Sequence, residues 1–199
     1  MTARAPDISA LHGDSQGATI VEFAIVLPLF MVLLIGILDI GQMVYGKSVL
    51  AGAVHKAARA SSLETRNTAR ADAAVLDAIR PLLPGVSIES SRTSYYDFAD
   101  IGRQEKWNDA NGNARCDNGE TYTDENRNGQ WDEDVGTQGN GGDPNDVVVY
   151  RVTASFSPVF KVPFLPQRWS TRTLTATAVT RNQPFGNQTG YGSGAGSCS

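Results

Sequence analysis

Gly17-Ala18-Thr19-Ile20-Val21-Glu22-Phe23 decides how this chain is read. A glycine is followed five residues on by a lone glutamate, and that glutamate opens an almost uninterrupted apolar run from Phe23 to Leu38. A carboxylate at a bilayer centre costs about 2.5–3.5 kcal/mol on insertion scales, and more by other estimates. Within a turn or two of the membrane edge it is cheaper, yet it still asks for a partner. An amino group made by cutting after Gly17 is such a partner, because Glu22 would then sit one helical turn from a new N-terminus at Ala18.

Ala18 to Leu38 is 21 residues, about 31 Å of helix at 1.5 Å per residue, which matches a bilayer core of about 30 Å. The competing readings are a cleaved secretory signal and a buried core helix. Against the signal, the run exceeds the usual apolar stretch of 7–15 residues, and Ser48–Ala53 makes only a vague peptidase site. Charge does not orient the span. Arg4 and the initiator amine stand against Asp7 and Asp14 on one side, and Lys47, Lys56 and Arg59 follow on the other, so the positive-inside rule does not favour an N-in topology. Pro28 lies inside the span, where neighbouring helices can satisfy the carbonyl it frees. Asp39 reads as an end-of-span residue at the interface or as a contact to a partner helix.

The glycine, the glutamate and the apolar helix resemble the class III signal of type IV pilins and pseudopilins. The longer stretch Gly17–Leu29, then Gly36-Ile37-Leu38-Asp39-Ile40-Gly41, then Ala57-Ala58-Arg59-Ala60, resembles the TadE family, pseudopilins or minor pilins of the bacterial tight-adherence (Tad/Flp) pilus systems. The resemblance covers Gly17 to Ala60, is weaker from Asp146 to Thr180, and is absent between about Tyr95 and Pro144. It implies cleavage between Gly17 and Ala18 by a prepilin peptidase on the cytoplasmic face, and so an N-in topology. Glu22 would set helix register during assembly. The implied partners are other pilins or pseudopilins, the Tad assembly platform proteins and the inner membrane. The implied location is single-pass in the bacterial inner membrane, with the C-terminal domain in the periplasm or on the cell surface or pilus.

Beyond a leader over 1–17, the long helix runs over 18–62, with Leu50, Val54, Ala57 and Ser61 at helical spacing outside the span. Residues 63–96 read as a second helix and a first strand. The helix runs from Asn67 to Leu83 with a stripe of Ala69, Ala73, Leu76, Ile79 and Leu83, closed by Pro81 and Pro84-Gly85; the strand covers Val86–Tyr96. Over 146–182 two strands alternate: Val148, Tyr150, Val152, Ala154 and Phe156 share one face, as do Leu174, Ala176 and Ala178. Phe160–Pro166 is an apolar connection, and 183–199 reads as a disordered Gly/Ser tail. The sum is an α+β, pilin-like fold: a long N-terminal transmembrane helix, a second helix and a small antiparallel β-sheet of three or four strands, with an acidic insert over 97–145.

That insert repeats itself at a 15-residue offset: Asp109-Ala-Asn111-Gly-Asn113-Ala114-Arg-Cys116-Asp117-Asn-Gly-Glu120, then Asp124-Glu-Asn126-Arg-Asn128-Gly129-Gln-Trp131-Asp132-Glu-Asp134. Oxygen side chains at loop positions 1, 3, 5 and 9 are what a calcium loop uses, and calcium wants six to eight hard oxygens. In the first copy Glu120 stands at position 12, where a bidentate carboxylate belongs, but position 6 is Ala114 where a tight turn favours glycine. In the second copy Gly129 is at position 6 while position 12 is Val135, so Asp132 or Asp134 must finish the shell. The flanks are not clear EF helices. The pattern resembles the EF-loop or thrombospondin-type calcium repeats of secreted proteins, with calcium as a structural staple; the bland alternative is a solvated polar loop. Trp107 and Trp131 lie nearby to pack on.

Net charge is −4, with no basic arm or stripe, so a nucleic-acid partner has no footprint. Cys116 and Cys198 both follow the span, and outside the cytoplasm a disulfide between them is allowed. They and the two histidines, His12 and His55, have no zinc spacing. No phosphate loop, HExxH or G-x-S-x-G appears, so nothing points to an enzyme. Three readings stand: a minor pilin of a Tad-type (type IVc) pilus, a membrane-anchored calcium-binding adhesin outside any filament, and a secreted protein whose apolar segment is removed.

Overall fold

The computed structural model describes residues 16–63, 67–139, 141–159 and 170–198. The leader up to Ser15, the Phe160–Pro166 connection and Trp169 lie outside the described residues. Helix α1, Gln16–Ser61, is 46 residues long and contains Pro28. At 1.5 Å per residue that is about 69 Å. Its two halves differ. From Ile20 to Leu38 most large apolar side chains are exposed, Ile25 at 72%, while Leu27 and Ile35 are half-buried. From Asp39 onward one face is covered, and Leu50, Val54, Ala57 and Ala58 are buried in the core. It is the one helix among the described residues long and apolar enough to cross a membrane, and it fits a single-pass membrane protein.

Helix α2, Thr68–Ile79, starts on Asn67, whose side chain accepts the Arg70 N–H, a cap that satisfies one of the helix's orphan donors. Its buried face is Ala71, Val75 and Ile79, continued by Leu83. Ala69 and Ala73 of the expected stripe are exposed. The helix carries two adjacent apolar rows, and packing against α1 and the sheet selects the one with Val75.

The main sheet is antiparallel, in the order β3-β1-β4-β5, from β1 (Ser87–Tyr95), β3 (Thr137–Gln138), β4 (Val147–Phe156) and β5 (Arg172–Arg181). Strands β4 and β5 pair over ten residues from Val147↔Arg181 to Phe156↔Arg172. The alternation fixes which face is apolar: Tyr150, Val152, Ala154 and Phe156 on β4, with Leu174, Ala176 and Ala178 on β5, meet α1 and α2 in one core. The fold is therefore α+β, two helices laid on one face of a small sheet.

Two ion pairs tie the layers. Arg172 of β5 meets Asp39 of α1 at 2.9 Å, both largely buried. Asp39 thus contacts the chain's own domain. Asp72 of α2 accepts from Arg92 of β1 at 2.6 Å and from the Tyr150 and Ser90 hydroxyls, while the Arg92 guanidinium lies 4.1 Å from the Tyr150 ring centre. Burial alone would raise the Asp72 pKa, but these hydrogen bonds outweigh it and hold the carboxyl below its ordinary range.

The C-terminal segment departs from the reading as a disordered tail. Gly194–Ser197 forms β6, which pairs antiparallel with β2 (Thr121–Asp124) of the insert. Glycine-rich composition here reflects close approach: a Cβ on Gly196 would collide with the Tyr122 ring opposite it.

Candidate functional site

The insert is built around a short antiparallel contact between its two repeats. Trp107 bridges Tyr122. The Asn108 N–H donates to the Thr121 carbonyl and the Thr123 N–H to the Lys106 carbonyl, both at 2.8 Å. Each arm then runs into one loop, the first opening on Asp109 and the second on Asp124.

The two loops have matching backbones. The fourth and sixth residues of each, Gly112 and Ala114, then Arg127 and Gly129, all have positive φ, between 60° and 79°. Ala114 takes the left-handed conformation despite its Cβ, which costs on the order of 1–2 kcal/mol. The side chains match too. Asp109 accepts N–H bonds from Gly112, Asn113 and Ala114; Asp124 accepts from Asn128 and Gly129. The amides of Asn111 and Asn113 converge on Asp117, each at 2.9 Å. Those of Asn126 and Asn128 converge on Asp132, at 2.8 and 2.5 Å.

Each loop is closed by a buried glutamate. Glu120 accepts the N–H groups of Ala110, Asn111 and Asp117, which are positions 2, 3 and 9 of the first loop. In the second loop positions 2, 3 and 9 are Glu125, Asn126 and Asp132, and their N–H groups all go to Glu105. Glu105 is fully buried, and burial pushes its pKa up against the pull of those three donors. So the closing carboxylate of the second loop comes from the other repeat arm, four residues before Asp109. Neither Val135 nor Asp134 supplies it: Val135 is buried against Tyr95, and Asp134 faces away from the loop, accepting from the Tyr95 hydroxyl and the Gly136 N–H.

Glu105 escaped the sequence reading because it lies outside the Asp-to-Asp copies. The signal was present: Glu105-x-Trp107-x-Asp109 and Glu120-x-Tyr122-x-Asp124 share the same 15-residue offset. Arg103 was missed as well; it pairs with both Asp100 and Glu125 and locks the second loop to the segment before the first.

Around the loops, Trp107 and Trp131 meet edge to face at 5.4 Å. Cys116 and Cys198 are disulfide-bonded, with Cα atoms 5.5 Å apart, and Cys198 also exchanges backbone hydrogen bonds with Gly119 and Glu120. Among the described residues no group of three or more His, Cys, Asp and Glu is arranged to hold a metal ion. Each loop gathers Asp, Asn and Glu side chains, whose oxygens are hard donors of the kind that suits calcium rather than zinc; the asparagines turn their NH₂ groups to Asp117 and Asp132 and their oxygens to backbone N–H groups. At the other end of the molecule, Gly17 and Glu22 lie on the exposed part of α1.

Fold and site together define a protein with a candidate membrane helix continuous with an α+β domain that carries an acidic lobe. The family model of the TadE-like proteins matches residues 17–59, so α1 carries a TadE-like domain, consistent with a TadE-like protein of the Tad pilus system. No curated protein and no solved structure matches the chain.

Proposed function

We propose that this chain is a minor pilin of a Tad-type pilus, held in the inner membrane by the N-terminal half of α1, cut after Gly17 by a prepilin peptidase, and assembled with other pilins through that helix. The observation that carries the reading is the TadE-like segment itself, with Gly17 and Glu22 at its start. Glu22 would neutralise an N-terminal amine, its own or a neighbour's. Removing one of two apposed charges in low dielectric leaves the other uncompensated, at a cost of about 3–5 kcal/mol. The Cys116–Cys198 disulfide supports a domain outside the cytoplasm, where such bonds persist.

The acidic lobe fits a structural role for calcium. Asp109, Asn111, Asn113, Asp117 and Glu120 would hold one ion. Asp124, Asn126, Asn128 and Asp132 would hold a second, with Glu105 where position 12 offers only Val135. Each asparagine oxygen accepts one backbone N–H within its loop and would offer its second lone pair to an ion, whose binding would displace the Asn-to-Asp hydrogen bonds. Calcium there would relieve the mutual repulsion of the carboxylates and add ordering energy to a lobe poor in apolar side chains.

The test is the N-terminal residue of the protein purified from membranes of its native host, together with pilus formation by Glu22→Ala. A chain starting at Ala18, and a Glu22→Ala variant that is cut but assembles poorly, are expected. A chain starting at Met1 would instead favour a membrane-anchored calcium-binding adhesin, and wild-type piliation by Glu22→Ala would remove the role given to that carboxylate.

A further inference from the structure

Charge is divided unevenly along this chain. Residues 97–145 hold twelve acidic and four basic side chains, a balance of −8 in a chain of −4, so the rest carries +4. The fold gathers part of each sign into its own hollow. The acidic cleft lies where the end of β1 meets the insert, the turn at 141–146 and the C-terminal strap at 189–191, and it encloses about 540 Å³. Four carboxylates line it, Asp100, Glu125, Asp143 and Asp146, against one arginine, Arg127. Arg103 and Lys106, which do not line it, reach Asp100 and Glu125, and the balance stays negative. The second acidic loop supplies one wall through Glu125, Asn126 and Arg127. Tyr96 and Tyr191, both exposed, stand at its edge with ring centres 4.4 Å apart. The basic hollow is a groove on α1 of about 610 Å³, where Lys56 and Arg59 stand with His55, Ala60, Leu63 and Gln183. Among the described residues no acidic side chain lines it, and Lys56 and Arg59 are exposed.

Groove and cleft stand at the same end of the domain. Gln183, in the groove, donates its N–H to the Ser62 carbonyl at 3.2 Å. Its neighbour Asn182 is buried and donates to the Asp146, Gly141 and Asp143 carbonyls of the cleft, at 2.8, 2.6 and 2.9 Å. The two hollows therefore flank the Asn182–Gln183 peptide, level with the far end of α1. Copies of the chain standing upright in one membrane would bring the groove of one to the height of the cleft of the next. Such a contact joins two different patches, so it is heterologous and can repeat from copy to copy.

The chemistry narrows the occupant. The groove begins at Gly52, thirteen residues beyond Asp39 and about 20 Å along the helix, out of reach of lipid headgroups if the apolar run fills the bilayer. A small anion would find only exposed cations there, whose attraction salt and water screen. The cleft's excess of carboxylates refuses anions and accepts cations. An arginine suits it on two counts, since a guanidinium fork matches carboxylates and stacks on aromatic faces.

We propose that a second copy of this chain docks here, the rim of one copy's acidic cleft seating in the α1 groove of the next, with Lys56 and Arg59 against Asp143 and Asp146 and the tyrosine pair beside them. The inference rests on the minor-pilin reading in one respect, that copies stand side by side in one membrane.

The experiment uses the full chain in membranes of its native host, as two copies with different epitope tags. A photo-crosslinking residue replaces Gly52, which lines the groove and where an added Cβ meets nothing within 4 Å. The expected product joins two copies, and mass spectrometry is expected to place the link on residues 141–146 or 189–191 of the other copy. Lys56→Glu with Arg59→Glu should cut its yield about tenfold or more, since like charges then face each other. Asp143→Lys should cut it similarly, and combining the three should restore it, a rescue that misfolding cannot produce. Should Asp143→Lys not fold, the position of the link and the α1 double variant, whose side chains are exposed, still decide. A link to another protein or to another region of a copy, no link between copies, a yield unmoved by the double variant, or no rescue in a folded triple variant would each overturn the proposal. The N-terminal residue is read on the same sample. Ala18 without the link sinks the contact and leaves the pilus reading standing, whereas Met1 with the link does the reverse.

Discussion

If Glu105 closes the second loop as Glu120 closes the first, Glu105→Gln and Glu120→Gln should behave as twins although one residue lies outside the loop it serves. Glutamine keeps one oxygen for the paired N–H groups of positions 2 and 3. It places an NH₂ group against the N–H of position 9, Asp132 for Glu105 and Asp117 for Glu120. A buried N–H left without an acceptor costs about 1–3 kcal/mol. Neutralising Glu105 also relieves the desolvation of a fully buried carboxylate, so a net loss of about 2 kcal/mol is expected for it. In a chain of this size 1 kcal/mol moves the melting midpoint by about 2–4 °C, giving a fall of about 4–8 °C. Trp107 and Trp131, packed between the loops, make tryptophan fluorescence the assay, first in EDTA and then with calcium. A ligand at 100 times its dissociation constant adds about 2.7 kcal/mol; wild type should gain on that order, and each variant distinctly less. If Glu105→Gln melts like wild type in EDTA and gains as much from calcium, while Glu120→Gln does not, the cross-repeat closure is wrong.

Asp72→Ala should destabilise the domain by about 3 kcal/mol at neutral pH, because it strands the buried Arg92 guanidinium and the Tyr150 hydroxyl; denaturant unfolding followed by circular dichroism measures this. The folded pKa of Asp72 lies below its ordinary 3.8, so its contribution is present above that value and lost as pH falls through the folded pKa. The gap between wild type and Asp72→Ala should therefore close on acidification below about pH 4; a gap constant down to pH 2 would count against the pair. Ala114→Gly should stabilise the lobe by about 1 kcal/mol and Gly129→Ala destabilise it by a similar amount, since both positions are left-handed; equal and opposite midpoint shifts are the expected readout. Reducing the Cys116–Cys198 disulfide, which spans 82 residues, should cost up to about 4.5 kcal/mol by chain entropy and free β6 from β2, seen as faster amide exchange at Gly194–Ser197. Free thiols in protein from the native host would contradict the bond.

The helices and the three long strands were legible because their periodicity is local. Val148 to Phe156 alternates cleanly, and α1 announces itself by length and apolarity. The buried row of α2 was not, because two apolar rows lie side by side and only the neighbouring layers choose between them. The C-terminal segment misled for a related reason. Its glycines look like flexible chain, but Gly196 is small because Tyr122 lies across from it, a contact about 75 residues away in sequence. The spacing of the acidic repeats placed Asp109, Asn111, Asn113, Asp117 and Glu120 together and Asp124, Asn126, Asn128 and Asp132 together, and hydrogen bonds join the members of each set within its loop. Asp134 was assigned by proximity in sequence and belongs to β1's side instead. Glu105 required recognising that the repeat unit begins four residues earlier than its most acidic part.

The Asp39–Arg172 pair joins the two halves of the molecule in a way that bears on function. From Ala18 to Leu38, α1 offers 21 residues, about 31 Å of helix, against a hydrocarbon core of about 30 Å. Asp39 is the first charged residue after that run, and it is held by Arg172 of β5. Sinking the helix further would carry the pair, and the Gln42 amide bonded to the Leu82 carbonyl, into a medium where polar groups are costly. Rising further would expose the apolar run to water. If α1 spans the bilayer as proposed, the domain would act as a stop that sets how much of the helix lies in it. The same contact holds the domain on the helix as one piece, so any force that moves the apolar segment also moves the acidic lobe. A helix that packed on its domain only beyond Val49 would leave a flexible joint at the membrane surface and lose that coupling.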